Sequence, residues 1–368
     1  MNAKKIRIVG GVLVGALWAG LTLGAWLHRP EEFSQAERRK LAAFPELSAS
    51  TLLNGRFMEK FETYTLDQFP MRDGFRQIKS LFTYKVLFQR DNKGIYLENG
   101  TAAKLEYPLN EQSLQGAVKK FDRIYQKYLK DSDGRILFSV VPDKSYYLAE
   151  ENGYLAMDYE KLFASMEQGL PFAQYVDLTD TLTIADYYRT DTHWRQEKLL
   201  PAAKKLAEAL HIPVPQSDDF RMTRLERPFY GVYYGQAALP MEPETMYILE
   251  SDILEGCSVL NLENRKTTPV YDLQKENGKD QYDVFLSGPV SIQVIENPAG
   301  PEDRELIVFR DSFGSSLTPL LVHGYRKVTL IDTRYVPGDY LDKFVDFHGQ
   351  DVLMLYSPMV LNQSAMLK

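Results

Sequence analysis

Two short segments combine residue types that suit activated-serine chemistry. One is Asp191-Thr192-His193-Trp194, and the other is Arg310-Asp311-Ser312-Phe313-Gly314. In extended chain, side chains at i and i+2 project to the same face, so Asp191 and His193 can address one crevice. A carboxylate that accepts from one imidazole nitrogen fixes the tautomer and leaves the other nitrogen as a base. Ser312 stands three residues beyond the apolar run Leu306–Phe309 and two before Gly314. Open α/β sheets place reactive groups at such strand ends, where backbone N–H groups of the next turn can stabilise an oxyanion. Together the segments offer a nucleophile (Ser312), a general base (His193) and an orienting carboxylate (Asp191). Distance along the chain is no obstacle, because such sets are defined by geometry rather than order. Each residue also has a structural use: Ser312 can cap the following helix, and Asp191 can cap one beginning near Arg195. The G-x-S-x-G elbow is absent, so the common α/β-hydrolase arrangement is not expected.

Composition removes several other chemistries. The 368 residues carry 43 Lys and Arg against 50 Asp and Glu, a net charge of −7. No global basic field is available for a phosphate backbone, so nucleic acid is not an expected partner. Cys257 is the single cysteine, which excludes an intramolecular disulfide, a Cys-rich zinc site and an iron–sulfur cluster. His28, His193, His211, His323 and His348 are scattered without a His-x-x-x-His pair. Neither a metal nor a cofactor is expected, and His323 and His348 read as structural or surface residues. At 44% hydrophobic and 25% charged the chain has ordinary globular composition, with aromatics at 12%, which suits a sugar-facing surface.

The elements that must position these groups begin with an uncharged run at residues 9–27, preceded by Lys4, Lys5 and Arg7. About 19 residues of helix suffice to cross a bilayer core. A signal peptide has the same plan, but the run is long for one and its best small-residue site, Leu23-Gly24-Ala25, carries Leu at the minus-three position. The expectation is an uncleaved single-pass anchor with residues 1–8 as a short cytoplasmic tail and the large remainder outside the cell. Residues 28–110 read as a membrane-proximal stem, polar and irregular to about residue 56. Phe75, Ile78, Phe82 and Val86 then recur at helical spacing, and strands around a turn at Asn99-Gly100 follow.

From residue 111 to 368 helices alternate with strands, the pattern of a doubly wound α/β sheet. Ser113 is a candidate cap for a helix carrying Leu114, Val118, Phe121, Tyr125 and Tyr128 on one face. Ile136–Val141, Leu306–Phe309, Val328–Ile331 and Val352–Tyr356 read as buried strands, and Tyr175–Leu182 as a weaker one. Helices are expected over Glu197–Leu210, Leu317–Val322 and Tyr340–Phe347. Residues from about 212 to 300, rich in Tyr, Pro and Gly, read as a β-rich insertion over the sheet edge, with strand-like pieces at Asp283–Leu286 and Val290–Val294.

With these segments assembled, the chain resembles the DHHW family of bacterial proteins and, more distantly, alginate O-acetyltransferase proteins of SGNH-hydrolase-like fold. The resemblance rests on Glu37–Pro45, Asp67–Asp73, Gly94–Leu97, Val141–Lys144, Asp191–Trp194, Tyr282–Leu286, Asp311–Phe313 and Asp332–Tyr335. It implies that Asp191, His193 and Ser312 are the family's catalytic residues, in a circularly permuted order relative to ordinary SGNH hydrolases. Thr192 stands where the family name expects His; in extended chain that residue faces away from the crevice. The Gly and Asn of the separate SGNH blocks have no matching position. The Ser312 N–H, Arg310 and Arg334 are therefore the oxyanion candidates, with Trp194, Tyr335 and Lys144 as candidates near substrate. Buried packing is the other reading for Trp194, and a solvated position for Lys144. The resemblance further implies an extracytoplasmic O-acetyltransferase acting on a cell-wall or exported polysaccharide. Its acetyl donor would be a multi-pass membrane acyltransferase. An acetyl esterase with the same triad and a non-catalytic polysaccharide-binding or scaffold protein are the alternatives.

Overall fold

The computed structural model describes residues 3–34, 36–239 and 241–368. Met1 and Asn2, the start of the expected cytoplasmic tail, lie outside them. The chain divides into two units, Met1–Lys93 with Tyr234–Pro240, and Gly94–Tyr233 with Met241–Lys368.

The first unit opens with helix α1 (Ala3–Leu27), in which Arg7–Ala25 is apolar and long enough to cross a membrane. Residues 28–56 are more ordered than their composition suggests. Strands β1 (Phe33–Ser34) and β2 (Arg39–Lys40) pair antiparallel, and the short helix α2 (Ala49–Leu53) has a Ser48 capping box. Helices α3 (Arg56–Asp67) and α4 (Arg72–Lys85) follow. An ion network joins these pieces. Arg39 grips both oxygens of Asp67 (2.8 and 2.5 Å), while Arg72 (2.5 Å) and Arg76 (3.1 Å) converge on Glu37. Burial works against the Glu37 charge, but Arg72 and Arg76 hold its carboxyl below the ordinary range. The motif residues of the stem are thus the charges that close this unit. Phe75, Ile78 and Phe82 of the predicted stripe lie on α4 with Val86 just past its end, but all four residues are exposed.

In the second unit, strands β3 (Ile95–Glu98) and β4 (Thr101–Lys104) form a hairpin, with Asn99 and Gly100 both at positive φ (49° and 77°). That pair suits a tight two-residue turn, and glycine adopts the second angle without a Cβ clash. Helix α5 (Glu111–Ile124) is capped by Asn110, whose side chain accepts from the Ser113 N–H; Ser113 therefore lies in the first turn, not at the cap.

Among the described residues the largest sheet has eight strands. Five are parallel and lie in the order β6 (Gln174–Tyr175), β5 (Ile136–Val140), β14 (Asp351–Tyr356), β12 (Glu305–Arg310) and β13 (Lys327–Ile331). Strands β11 (Ile292–Glu296), β9 (Ser258–Asn261) and β10 (Thr267–Thr268) continue it antiparallel beyond β13. The segment 212–300 therefore extends the sheet instead of sitting over its edge. Its expected strand at Asp283–Leu286 is a 3-10 turn, Gln281–Val284, while another part pairs as a separate hairpin, β7 (Arg221–Arg224) with β8 (Tyr247–Glu250). The weaker strand shortens to β6, and Tyr340–Phe347 becomes a 3-10 turn over Gly338–Lys343.

Alternation along the strands separates two apolar layers. Leu306 and Val308 of β12 and Leu353 and Leu355 of β14 pack with Leu206 and Leu210 of helix α8 (Leu200–Leu210). Ile307, Phe309, Met354 and Tyr356 pack on the other face with Phe121 of α5 and Leu162 and Met166 of helix α7 (Tyr159–Gly169). Pro201 sits in the first turn of α8, where its missing N–H costs nothing. From β5 the chain leaves toward β6, and from β12 it leaves toward β13, in opposite directions across β14. Their carboxyl ends bound the crevice that such a reversal creates.

Candidate active site

Ser312 follows β12 in a tight turn that the neighbouring carboxylate fixes. Asp311 accepts from the Phe313 N–H (3.0 Å) and, at the end of β14, from the Ser357 N–H (2.8 Å). The helix that follows is the short α9 (Gly314–Leu317), and Phe313 occupies its cap position. Asp311 does the work of a turn residue, so the Ser312 hydroxyl is not spent as a cap. It lies 2.8 Å from His193 Nε2.

Asp191, Thr192 and His193 come from a narrow loop closed by the Tyr187–Trp194 bridge, with the Tyr188 N–H donating to the His193 carbonyl (3.1 Å). His193 Nδ1 is 2.6 Å from Asp191 Oδ1, which also accepts from the His193 N–H (3.0 Å). An ionised carboxylate only accepts, so Nδ1 carries the proton. Nε2 is then the acceptor, and the Ser312 hydroxyl donates to it. Asp191 is fully buried, His193 nearly so, and Ser312 partly open. The Ser312 N–H has no hydrogen-bond partner among the described residues. A donor left open beside a hydroxyl poised over a base suits an oxyanion developing at that point.

The supports of this loop come largely from the segment that the sequence pattern read as a peripheral insertion. The Val232 N–H donates to Asp191 Oδ2 (2.7 Å), and the Gly231 N–H to Thr190 Oγ1 (3.0 Å). A Cβ on Gly231 would stand 2.3 Å from both Asp191 Cβ and the Thr190 carbonyl oxygen, so only glycine permits this approach. Glu244 accepts from the Arg189 and Thr190 N–H groups and the Thr190 hydroxyl, each at 2.8 Å. Tyr282 stacks on the imidazole (3.8 Å between centroids, 9° between planes). Burial pushes the Tyr282 phenol far above its ordinary range, so it stays neutral, 2.7 Å from Ser316 Oγ. Tyr282 belongs to the Tyr282–Leu286 motif, and Gly231 and Val232 lie in a Tyr- and Gly-rich run at 230–235. Neither indicated contact with the His193 loop.

The remaining candidates take distinct places. Trp194 is buried and donates its indole N–H to Ser316 Oγ (2.9 Å) and the Phe313 carbonyl (3.2 Å), tying the two loops together from behind. Lys144 is buried rather than solvated. Its ammonium donates to the carbonyls of Tyr188 (2.8 Å), Arg189 (3.2 Å) and Asp191 (2.8 Å), bracing the same loop. Burial lowers its pKa to about 7, against the pull of Asp191 and Glu244. Arg310 lies beneath the Ser312 turn, its guanidinium engaged with the Asp311 carbonyl, Ser315 Oγ and Gln293 Oε1. Burial lowers its pKa, opposed by Asp332. Arg334 pairs with both oxygens of Asp332 (2.9 and 2.6 Å), and Tyr335 is half exposed with that guanidinium 5.6 Å over its ring. Among the described residues no cluster of three or more His, Cys, Asp or Glu could hold a metal ion.

Fold and site together define a mixed α/β protein with a large sheet and an Asp–His–Ser hydrogen-bond relay at the carboxyl ends of its parallel strands. The family model for DHHW proteins matches residues 176–331, a stretch that contains Asp191, His193 and Ser312. The resemblance noted in the sequence is borne out. A protein of Pseudomonas fluorescens described as a probable alginate O-acetylase, AlgJ, is 25% identical over 210 residues, covering 53% of this chain and 50% of that relative. The chain therefore spans half the length of the curated relative it matches. Among solved structures, a DHHW family protein from Eubacterium siraeum superposes with a TM-score of 0.60 at 20% identity, covering 74% of this chain and 93% of its own. Bacillus cereus PatB1 with a sulfonyl adduct gives 0.57 at 14%, covering 73% and 97%. Both share the fold.

Proposed function

We propose that this chain is a membrane-anchored, extracytoplasmic O-acetyltransferase of SGNH-like, circularly permuted design. Residues 9–27 would form the anchor, 28–110 the stem and 111–368 the catalytic region. The observation that carries the reading is the continuous relay Asp191–His193–Ser312, at 2.6 and 2.8 Å, beside the open Ser312 N–H. The Ser312 hydroxyl attacks the carbonyl carbon of an acetyl donor as its proton passes to His193 Nε2. The oxyanion of the tetrahedral intermediate is held by the Ser312 N–H, and buried Asp191 stabilises the imidazolium. Collapse expels the donor oxygen, which takes the proton from Nε2, and leaves acetyl-Ser312. A sugar hydroxyl then loses its proton to Nε2 and attacks the acetyl group, and collapse releases Ser312 Oγ, which takes that proton back from Nε2.

The match to an alginate O-acetylase supports transfer to a polysaccharide hydroxyl over transfer to water. Acetyl-CoA is not expected outside the cell, so the donor is read as a multi-pass membrane acyltransferase. The test is the intact mass of the protein after incubation with an activated acetyl ester, with and without an oligosaccharide acceptor, in wild type and Ser312→Ala. The expected result is one acetyl mapped to Ser312, absent in the variant and passed to the sugar. Acetate release with no acetylated sugar would replace transferase by esterase. Neither adduct nor acetate, even with rapid quenching, would point to a binding or scaffold protein.

A further inference from the structure

Helix α4 has its amphipathic faces reversed. The residues it buries are Ser80 and Thr83. Arg72, Arg76 and Ser80 turn inward, onto Glu37, the Gly235 carbonyl (2.7 Å) and the Ala237 carbonyl (2.6 Å). Its large apolar residues Phe75, Ile78 and Phe82 turn outward and are 42–64% exposed, continuing into exposed Val86, Leu87 and Phe88. A contiguous apolar patch of this kind marks an interaction surface.

We propose that α4 lies in the surface of the bilayer that α1 enters, with Phe75, Ile78 and Phe82 about 5–10 Å deep at the headgroup–acyl boundary. The proposal rests on the anchor reading, and three observations select lipid as the occupant. Five residues separate α1 from β1, so β1 begins within about 20 Å of the end of α1, at about 3.4 Å per residue. Gly24, near the end of the apolar run, lies against the Pro70 ring, with 3.5 Å from an ideal Cβ to Cγ. Pro70 is two residues ahead of α4, so the helix starts where the span leaves the membrane core. The charge distribution agrees. Residues 28–93 carry twelve Lys and Arg against nine Asp and Glu, whereas residues 94–368 carry twenty-eight against forty-one. The patch is flanked by exposed Lys79, Lys85 and Arg90, which suit anionic headgroups.

The test uses the full chain with Cys257→Ser, reconstituted in phosphatidylcholine–phosphatidylglycerol nanodiscs that contain acyl-brominated lipid. A polarity-sensitive fluorophore is attached in turn to Leu17→Cys, Ile78→Cys, Phe82→Cys and Glu208→Cys. The expected result is blue-shifted emission and bromolipid quenching at 17, 78 and 82, with 208 wet and unquenched. If 17 is quenched while 78 and 82 are open to aqueous iodide, the proposal is overturned and the anchor stands. If 78 and 82 are shielded from both quenchers, a protein surface covers the patch, a second copy among the possibilities, and the lipid assignment falls. If 17 is unquenched, the anchor reading fails and the proposal with it.

Discussion

Replacing Asp191 by asparagine preserves shape and removes one charge and one acceptor, which makes it the sharpest probe of the relay. Asp191 Oδ1 accepts from His193 Nδ1 and the His193 N–H, and Oδ2 accepts from the Val232 N–H. An asparagine side chain has one oxygen for these three donors. If that oxygen takes the Oδ1 place, its NH2 group meets the Val232 N–H at a site where the present separation is 2.7 Å, and that buried donor is orphaned. If it takes the Oδ2 place, the NH2 group meets His193 Nδ1, and the imidazole must move its proton to Nε2. The nitrogen facing Ser312 then ceases to be an acceptor. The orphaned N–H costs about 1–3 kcal/mol of stability, so a folded protein is expected. Loss of the correct tautomer and of the imidazolium's counter-charge costs about 10⁴-fold in comparable triads, about 5 kcal/mol of barrier. Asp191 is fully buried, so water cannot take over its role. The assay is single-turnover acetylation of Ser312 by an activated ester, alongside a thermal melt. A folded Asp191→Asn protein that reacts within tenfold of wild type would refute the base–orienter assignment.

Two further outcomes follow from neighbouring geometry. Gly231→Ala places a methyl group 2.3 Å from Asp191 Cβ and the Thr190 carbonyl oxygen, so the His193 loop must shift. A displacement of about 1 Å costs on the order of 10²-fold in rate, and hydrogen exchange at residues 189–193 should rise while the sheet stays protected. Unchanged kinetics would show that the 231–233 segment does not position the site. Asp143→Asn tests a half-buried charge at the head of helix α6 (Lys144–Leu148). Asp143 accepts from the Tyr159 hydroxyl (2.6 Å) and the Tyr146 N–H (3.1 Å), and an amide oxygen can accept both. Burial raises its pKa to about 6, above the unfolded value of about 3.9. Its contribution is therefore fully present below about pH 4 and lost as pH rises through about 6. Relative to the variant, wild type should lose stability across that window in paired denaturant melts, and parallel curves would refute the shift.

The parallel strands and two of their covering helices were legible in the sequence because their signal is local. A buried strand such as Leu306–Phe309 needs a continuous apolar run, and α8 needs one apolar stripe. The Asp191–His193 pair was legible for the same reason, since two-residue spacing sets their relation before any folding. Errors gathered where the deciding contact was distant. Asp283–Leu286 has strand-like residues, yet Tyr282 is held against the His193 ring and the segment turns. The stripe on α4 carried the right period, but period cannot tell which face the rest of the chain will cover. Here Glu37 and two backbone carbonyls attract the polar face inward.

The sequence by itself determined the chemical inventory: Ser312 shortly after a buried strand, the Asp191–His193 pair, an apolar run long enough to span a membrane, and no recognisable spacing of metal ligands. Only the tertiary structure decided that Ser312 and His193, 119 residues apart, meet at 2.8 Å. It also decided that Lys144 braces a loop from the interior, and that Gly231, Val232, Glu244 and Tyr282 hold the imidazole in place. Those relations depend on which carbonyls and carboxylates are left needing partners once the sheet has closed. That is a property of the packed chain and not of any single stretch of it.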